Sequence, residues 1–507
     1  MSHRPAVLLA ALAGVLVLLS GVPVAAGTGP TPGSGAYMER DLANMADAFG
    51  RLGAEATNPA YVAGLPATVA TRWLTQVSYQ VAHPSDPALT GGNLVPGWNA
   101  GSPARSGWAG TRGRAQAVHF AATDGAALSG TLFAPLPRAR DPYTKAPIRY
   151  PLPGVVITTG SIQASAGVYD WLAEDLAERG YLVLSFDVQG QGSSETLPHQ
   201  GPDPALPGCS ASTAADQQTP CAGVPSEQQA DFDQDTEDAV TFLLSSPTRR
   251  YPPTASGAST DAFNPWWSLF DHRPDHHTAT PGRTTRVALI GHSTGAVTAS
   301  YLQGVDARIE TAVALDKITA TAQAISDDQA ELGSLPGPVA PKVPILGLQS
   351  EYGFEPQPYW EASCSSFEPC AAAPDATKAP DPNREEATGF DTWLERGVDS
   401  MVVVPRASTH LDYTDEPPIL PASARGQAMT SYYVQAWLGR YLQHQPAAVS
   451  ELLATTLPYL QPVGQGRWEP VTIARDQGLS FYFCSGYRLH VGAGIRTDKD
   501  LVGDGCH

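Results

Sequence analysis

A serine set between glycines offers the first candidate chemistry in this chain. Gly291, His292, Ser293, Thr294 and Gly295 fit the pattern G-x-S-x-G. Residues 287–290 before them are Val-Ala-Leu-Ile, a short apolar run suited to a strand buried on both faces. From Ala296 onward the residues are small and helix-compatible. A sharp strand-to-helix turn at this point would lift the Ser293 hydroxyl above a sheet edge, where it can attack a carbonyl. Gly291 and Gly295 permit the close approach that such a turn needs. The Thr294 amide, next after the serine, would then point into the site and stabilise an oxyanion.

A serine nucleophile needs a base, and the base needs an acid to orient it. The chain order expected on such a scaffold is serine, acid, histidine. Four histidines follow Ser293, namely His410, His444, His490 and His507, and only His410 closely follows an apolar run, at 401–404. His410 is the expected base, taking the Ser293 proton and returning it to the leaving group. Two carboxylates compete to orient it. Asp316 ends the run 312–315, and Glu351 follows the next run, 343–348; residue type and position leave both open. The second oxyanion amide is expected in the loop after the run 154–159, at Gly160, Ser161 and Ile162, with the Ser161 amide favoured. The glycine-rich turn at 187–193 lacks G-x-G-x-x-G and is expected to be a tight structural turn, not a phosphate cradle. This chemistry calls for no cofactor and no metal. The cluster Asp271, His272, Asp275, His276 and His277 is expected to be a solvated loop, because nothing in its spacing fixes a ligand geometry.

Elements must hold these groups together. Strand-type runs occur at 115–122, 127–134, 154–159, 181–186, 287–290, 311–315, 343–348 and 401–404. From 154 onward they alternate with helical patterns at 169–179, 229–244 and 427–441. The alternation predicts an α/β fold with a mostly parallel central sheet and helices on both faces. Sites in such sheets lie beyond the carboxyl ends of the strands. The insertions 187–226, 317–341 and 349–391 therefore belong to the site face as pocket and lid, and 247–284 to the far side.

The remainder of the chain sets the context. Residues 1–26 read as a secretory signal, with Arg4, an apolar stretch at 6–19 and the small residues Val24, Ala25 and Ala26. They predict a secreted protein with no stable membrane anchor. A net charge of −19 disfavours nucleic acid and anionic membranes as partners. After the signal come an N-terminal helical and wrapping region (27–113), the catalytic domain (114–447) and a C-terminal extension (448–507). In the extension, 478–484 and 487–491 read as two strands whose aromatics fill a sheet face.

With the elbow, the strand order and His410 in view, residues 115–441 resemble the α/β-hydrolase superfamily. Within it the chain is similar to the platelet-activating-factor acetylhydrolase branch and, more loosely, to secreted bacterial lipases and polyester hydrolases. The more specific points of likeness are Ala314, Leu315 and Asp316 together, Gln349 to Tyr352, and Thr409 with His410. The resemblance implies an α/β-hydrolase fold and ester hydrolysis through an acyl-serine, without a cofactor, on a small-molecule or lipid-like ester. It also implies that Asp316, not Glu351, is the acid. A secreted serine peptidase with the same triad and a catalytically silent binding module are the alternatives. Acyl length and oligomeric state stay open.

The 6 cysteines of an exported chain suggest disulfides. Sequence proximity favours Cys209–Cys221, Cys364–Cys370 and Cys484–Cys506, the last tying the extension. Each would stabilise the fold by roughly 2–4 kcal/mol. Peptide mapping under non-reducing conditions should return these three local pairs. Free thiols throughout, or a long-range pair such as Cys209 with Cys484, would contradict the expectation.

Overall fold

Apolar runs buried on both faces can satisfy their peptide groups only in a ladder, and here they line up side by side. The computed structural model describes residues 29–82, 101–123, 125–160, 165–194, 199–200, 220–221, 229–251, 260–319, 339–359, 375–415 and 423–502. Its main strands begin with β1 (Gly113–Ala121), β2 (Ala127–Pro135), β3 (Gly154–Thr158) and β4 (Leu182–Phe186). They continue with β5 (Val287–His292), β6 (Ile309–Leu315), β7 (Ile345–Leu348) and β8 (Ser400–Val403). β9 (Thr456–Pro462) and β10 (Trp468–Ala474) form a separate antiparallel hairpin. β11 (Gly486–Val491) and β12 (Gly494–Asp498) complete a 10-stranded sheet, in the order β1-β2-β4-β3-β5-β6-β7-β8-β11-β12. The central strands from β4 to β8 are parallel, and the pairs at both ends are antiparallel.

That order contains a reversal. The chain leaves β3 for β4 on one flank and later returns to β5 on the other. Loops after β3 and β5 therefore part in opposite directions and leave a crevice at the carboxyl ends of the strands.

Two helices, α1 (Gly35–Ala54) and α2 (Pro59–Ala82), precede the sheet, and α3 (Asp170–Glu178), α4 (Gln229–Leu243), α5 (Thr294–Val305) and α6 (Ala424–Tyr441) cover its two faces. Successive strand side chains point to opposite sides. Val156, Leu184 and Leu289 join one core with Phe232 of α4 and Leu302 of α5. Val155, Val183 and Ile290 join the other with Trp171 of α3 and Trp437 of α6. Each fully buried Val, Leu or Ile contributes about 1.5–3 kcal/mol. The segment 260–286 sits at the amino ends, as expected, with the Leu152 amide donating to the Leu269 carbonyl (2.6 Å) and the Gly154 amide to that of Arg286 (2.8 Å).

The C-terminal extension differs from expectation. Residues 478–484 are not a strand, because the Ser480 hydroxyl accepts from the amides of Tyr482 and Phe483 (both 3.0 Å) and bends the chain. The strand expected nearby is β11, and it pairs with β8 and β12, so the extension carries on the central sheet and covers the β8 edge. The aromatics fill a core with the N-terminal region: Tyr482 stacks on Tyr359 at 5.6 Å, and Tyr359 meets Tyr37 of α1 at a tilt, with centroids 4.1 Å apart. Cys484 is buried and disulfide-bonded. The side chains of the other five cysteines, and so the three expected pairings, lie outside the described residues, as do residues 1–26. No helix of the described residues is long and apolar enough to cross a membrane.

α4 meets the helix behind the candidate serine through a buried carboxylate. Asp233 accepts from Gln229 Nε2 (2.9 Å) and Thr298 Oγ1 (2.8 Å). Burial pushes its carboxyl up to about 7 against those bonds. The sign follows from linkage. Well below the ordinary value of 3.8 both states are protonated; between there and about 7 only the unfolded chain ionises, so stability falls as pH rises. Asp233→Asn keeps an acceptor oxygen and removes the charge. Its urea midpoint should exceed the parent's at pH 8, with the gain shrinking away toward pH 4. A lower midpoint at pH 8 would contradict this.

Candidate active site

β5 ends and α5 begins at Ser293, whose backbone stands at φ 55° and ψ −120°. A non-glycine residue there stores about 1–3 kcal/mol, so the surroundings must hold it. They do so through its own amide, which donates to the Leu315 carbonyl at 2.8 Å, and its carbonyl, which accepts from Ala296 at 2.9 Å. The two glycines are obligatory. A Cβ on Gly291 would lie 1.8 Å from the Gly295 carbonyl oxygen, and one on Gly295 would lie 2.6 Å from that of Thr159. The Thr294 amide opens α5, where a helix leaves its own amides unpaired and carries partial positive charge.

Register brings the other groups to the same level. Thr158 pairs with Gly291, Gly291 with Ala314, and Leu315 with Leu348. Gly160, Ser293, Asp316 and Ser350 therefore follow the ends of four adjacent strands. At Gly160 a Cβ would sit 3.0 Å from Ser293 Cβ, so Gly160 itself lies directly against the serine. Ser161, the expected second oxyanion donor, lies outside the described residues.

His410 follows β8 and opens a short turn over His410–Tyr413, capped reciprocally by Thr409 and Asp412. The loop carrying it is zipped to the loop after β7. The His410 amide donates to Gly353 and the Tyr352 amide to Ser408, each at 3.0 Å. His410 Nδ1 lies 3.2 Å from Asp316 Oδ2. Asp316 also accepts from the Ser350 amide (2.9 Å) and the Ser350 hydroxyl. Burial works to raise the Asp316 carboxyl, but the bonds from His410 and Ser350 outweigh it and hold the group below the usual carboxylate range. An ionised, anchored carboxylate thus faces the imidazole. The His410 ring packs on His292, with centroids 4.5 Å apart, and against the edge of Phe354 at 4.7 Å. No hydrogen bond joins the Ser293 hydroxyl to the His410 ring among the described residues. Such bonds often tighten only when substrate binds.

Glu351 does not face His410. It is buried, and its carboxylate accepts from Asn44 Nδ2 of α1 (2.5 Å), Ser480 Oγ of the extension (2.6 Å) and the Ala407 amide (2.6 Å). Burial raises its carboxyl, with those three donors opposing. The other histidines are committed elsewhere: His444 Nε2 meets Asp275 Oδ2 at 2.8 Å, and His490 Nδ1 meets Asp399 Oδ1 at 2.6 Å. His507 lies outside the described residues. In the 271–277 cluster, Asp271 pairs with Arg273 and Arg286, and Asp275 with Arg286. Among the described residues no group of three His, Cys, Asp or Glu is placed to hold a metal. The 187–193 turn is a structural one. Asp187 accepts from the amides of Ala166 (2.5 Å) and Ser193 (2.7 Å), and a Cβ on Gly192, at φ 53°, would strike that carboxylate. Sequence reasoning missed Tyr169 and His292 as parts of the site; both are buried behind it, and His292 was legible only as the variable residue of the motif.

No protein-family model matches this chain, and no curated protein matches it. Among solved structures it is similar to a ferulic acid esterase from Streptomyces cinnamoneus, with 18% identity over 66% of this chain and 91% of that one, and a TM-score of 0.36. The site's chemistry is therefore argued from its own geometry.

The elbow makes a ranking. Gly291→Ala places its methyl closer to backbone than Gly295→Ala does, and neither clash can be relieved by a side chain. Overpacking of this kind typically costs about 1–3 kcal/mol. Urea unfolding should show both variants destabilised, Gly291→Ala more so. A parent-like midpoint for either would contradict the packing described.

Proposed function

We propose that this chain is a serine carboxylester hydrolase of the α/β-hydrolase kind, acting through an acyl-serine. One observation carries the reading: Asp316 and His410 bond at 3.2 Å beside a serine held at φ 55° between two obligatory glycines. In this mechanism the neutral His410 ring, its Nδ1 hydrogen directed to Asp316, takes the Ser293 proton as Oγ attacks the ester carbonyl carbon. Asp316 stabilises the imidazolium that results. The Thr294 and Ser161 amides take the developing oxyanion. The carbon–oxygen bond to the alcohol then breaks, and His410 returns the proton to the leaving oxygen. Water, deprotonated by the same ring, repeats the sequence and frees the acid.

Asp316 is preferred to Glu351 as the acid because its carboxylate meets the ring, while that of Glu351 is occupied by Asn44, Ser480 and Ala407. The choice of ester over amide rests on the resemblance of residues 115–441 to acetylhydrolases and lipases. The substrate class is a small-molecule or lipid-like ester. Export belongs to the same proposal and is supported by the signal-like pattern of residues 1–26.

Kinetics on p-nitrophenyl acyl esters test the assignment. Ser293→Ala should fold normally, lose labelling by a fluorophosphonate probe, and lower kcat about a million-fold. Asp316→Asn should lower kcat by about four orders of magnitude by favouring the wrong histidine tautomer. Glu351→Gln should cost far less. The reverse ranking would move the acid to Glu351, and faster turnover of peptide anilides than of esters would overturn the ester reading.

A further inference from the structure

Two buried side chains that no step above uses lie between Gly160 and the base. The Gly160 amide donates to Tyr169 Oη at 2.9 Å. Tyr169 Oη lies 2.8 Å from His292 Nδ1, and His292 Nε2 lies 2.9 Å from the His410 carbonyl oxygen. The direction of each bond is forced. A carbonyl only accepts, so His292 carries hydrogen on Nε2. Burial first, and the neighbouring His410 next, push the His292 ring down to about 3, so it is neutral and its Nδ1 is bare. A bare Nδ1 must accept, so the Tyr169 hydroxyl donates to it, and the same oxygen accepts from Gly160. One self-consistent set of three bonds thus runs from the end of β3 to the turn after β8.

We propose that Tyr169 and His292 are positioning residues that hold Gly160 and the His410 main chain in one register across Ser293. The proposal rests on the serine-hydrolase reading and deepens it. Both ends of the relay touch the reaction centre. At one end a Cβ added to Gly160 would sit 3.0 Å from Ser293 Cβ; at the other the relay grips the backbone that carries the base, and the His292 ring lies against the His410 ring at 4.5 Å. The relay also occupies the Gly160 amide, which leaves the oxyanion to Thr294 and Ser161. Tyr169 is able to act as a fixed post because it is wholly buried where α3 begins. Misplacement of a reacting group by about 1 Å can cost a hundredfold in rate, so a relay that only orients is visible in kcat.

Ser293→Ala, Tyr169→Phe, His292→Leu and His292→Gln compared on one ester separate the possibilities. Tyr169→Phe and His292→Leu should lower kcat by about 10- to 100-fold, with KM held within about twofold. His292→Gln keeps an N–H that can reach the His410 carbonyl and should recover a large part of the loss seen in His292→Leu. If Ser293→Ala is inactive while folded Tyr169→Phe and His292→Leu turn over at the parent kcat, the relay falls and the serine reading stands. If Ser293→Ala keeps full turnover, the serine reading itself falls. A measurement on the unmutated protein guards against variants that do not fold. Nitrogen-15 labelling of histidine should show His292 as the neutral Nε2–H tautomer at pH 6–8. An Nδ1–H tautomer or an imidazolium there would overturn the relay whatever the kinetics.

Discussion

Everything at the candidate site depends on one close approach, that of β5 to α5 at Gly291 and Gly295. With a carbonyl oxygen standing 1.8 Å from where a Cβ would be, neither strand nor helix can yield, and the residue between them must take an unfavourable backbone conformation. The strain is held by bonds to neighbouring strands, not by the turn itself: the Ser293 amide is anchored on Leu315, at the end of β6. The same anchor places Asp316 one residue beyond. Ser293 and Asp316 are thus located by a single ladder, which is stiffer than any loop could be.

The third group of the candidate site is located differently. His410 stands on irregular backbone, and irregular backbone needs outside support. It comes from three directions. The loop after β7 zips to it, the Asp316 carboxylate receives its ring, and the His292 ring packs on its own. Behind these lies Glu351, one carboxylate serving α1, the extension and the backbone at Ala407, which itself stands at φ 57°. A buried carboxylate with several donors contributes more to fixing an arrangement than to net stability, since its desolvation offsets much of what the bonds return.

Local chemistry was legible in the sequence, and long-range chemistry was not. The parallel core could be read because doubly buried strands leave short apolar runs, and the elbow because only glycine fits there. Ser293 and His410 were readable from their places after such runs. Asp316 and Glu351 were not separable by position, since both follow strands; what separates them is a set of partners. Asn44 is 307 residues from Glu351 and Ser480 is 129 residues from it, and no spacing rule reaches that far. The extension misled for two reasons. Ser480 turned an aromatic run into a bend, and prolines at 458, 462 and 470 disguised the β9–β10 hairpin, because proline argues against a paired strand.

The Glu351 cluster also sets an order of assembly. A ribosome delivers α1 long before Ser480, yet Asn44 of α1 and Ser480 both donate to the carboxylate that supports the His410 loop. β11, later still, closes the edge of the strand from which that loop departs. A chain in the course of synthesis therefore holds β5 and the Ser293 turn long before it can brace the His410 loop. On the proposed reading, a hydrolytic centre is complete only once Ser480 and β11 have emerged, and a nascent chain that stops short of them carries Ser293 without the braced His410 loop that would activate it.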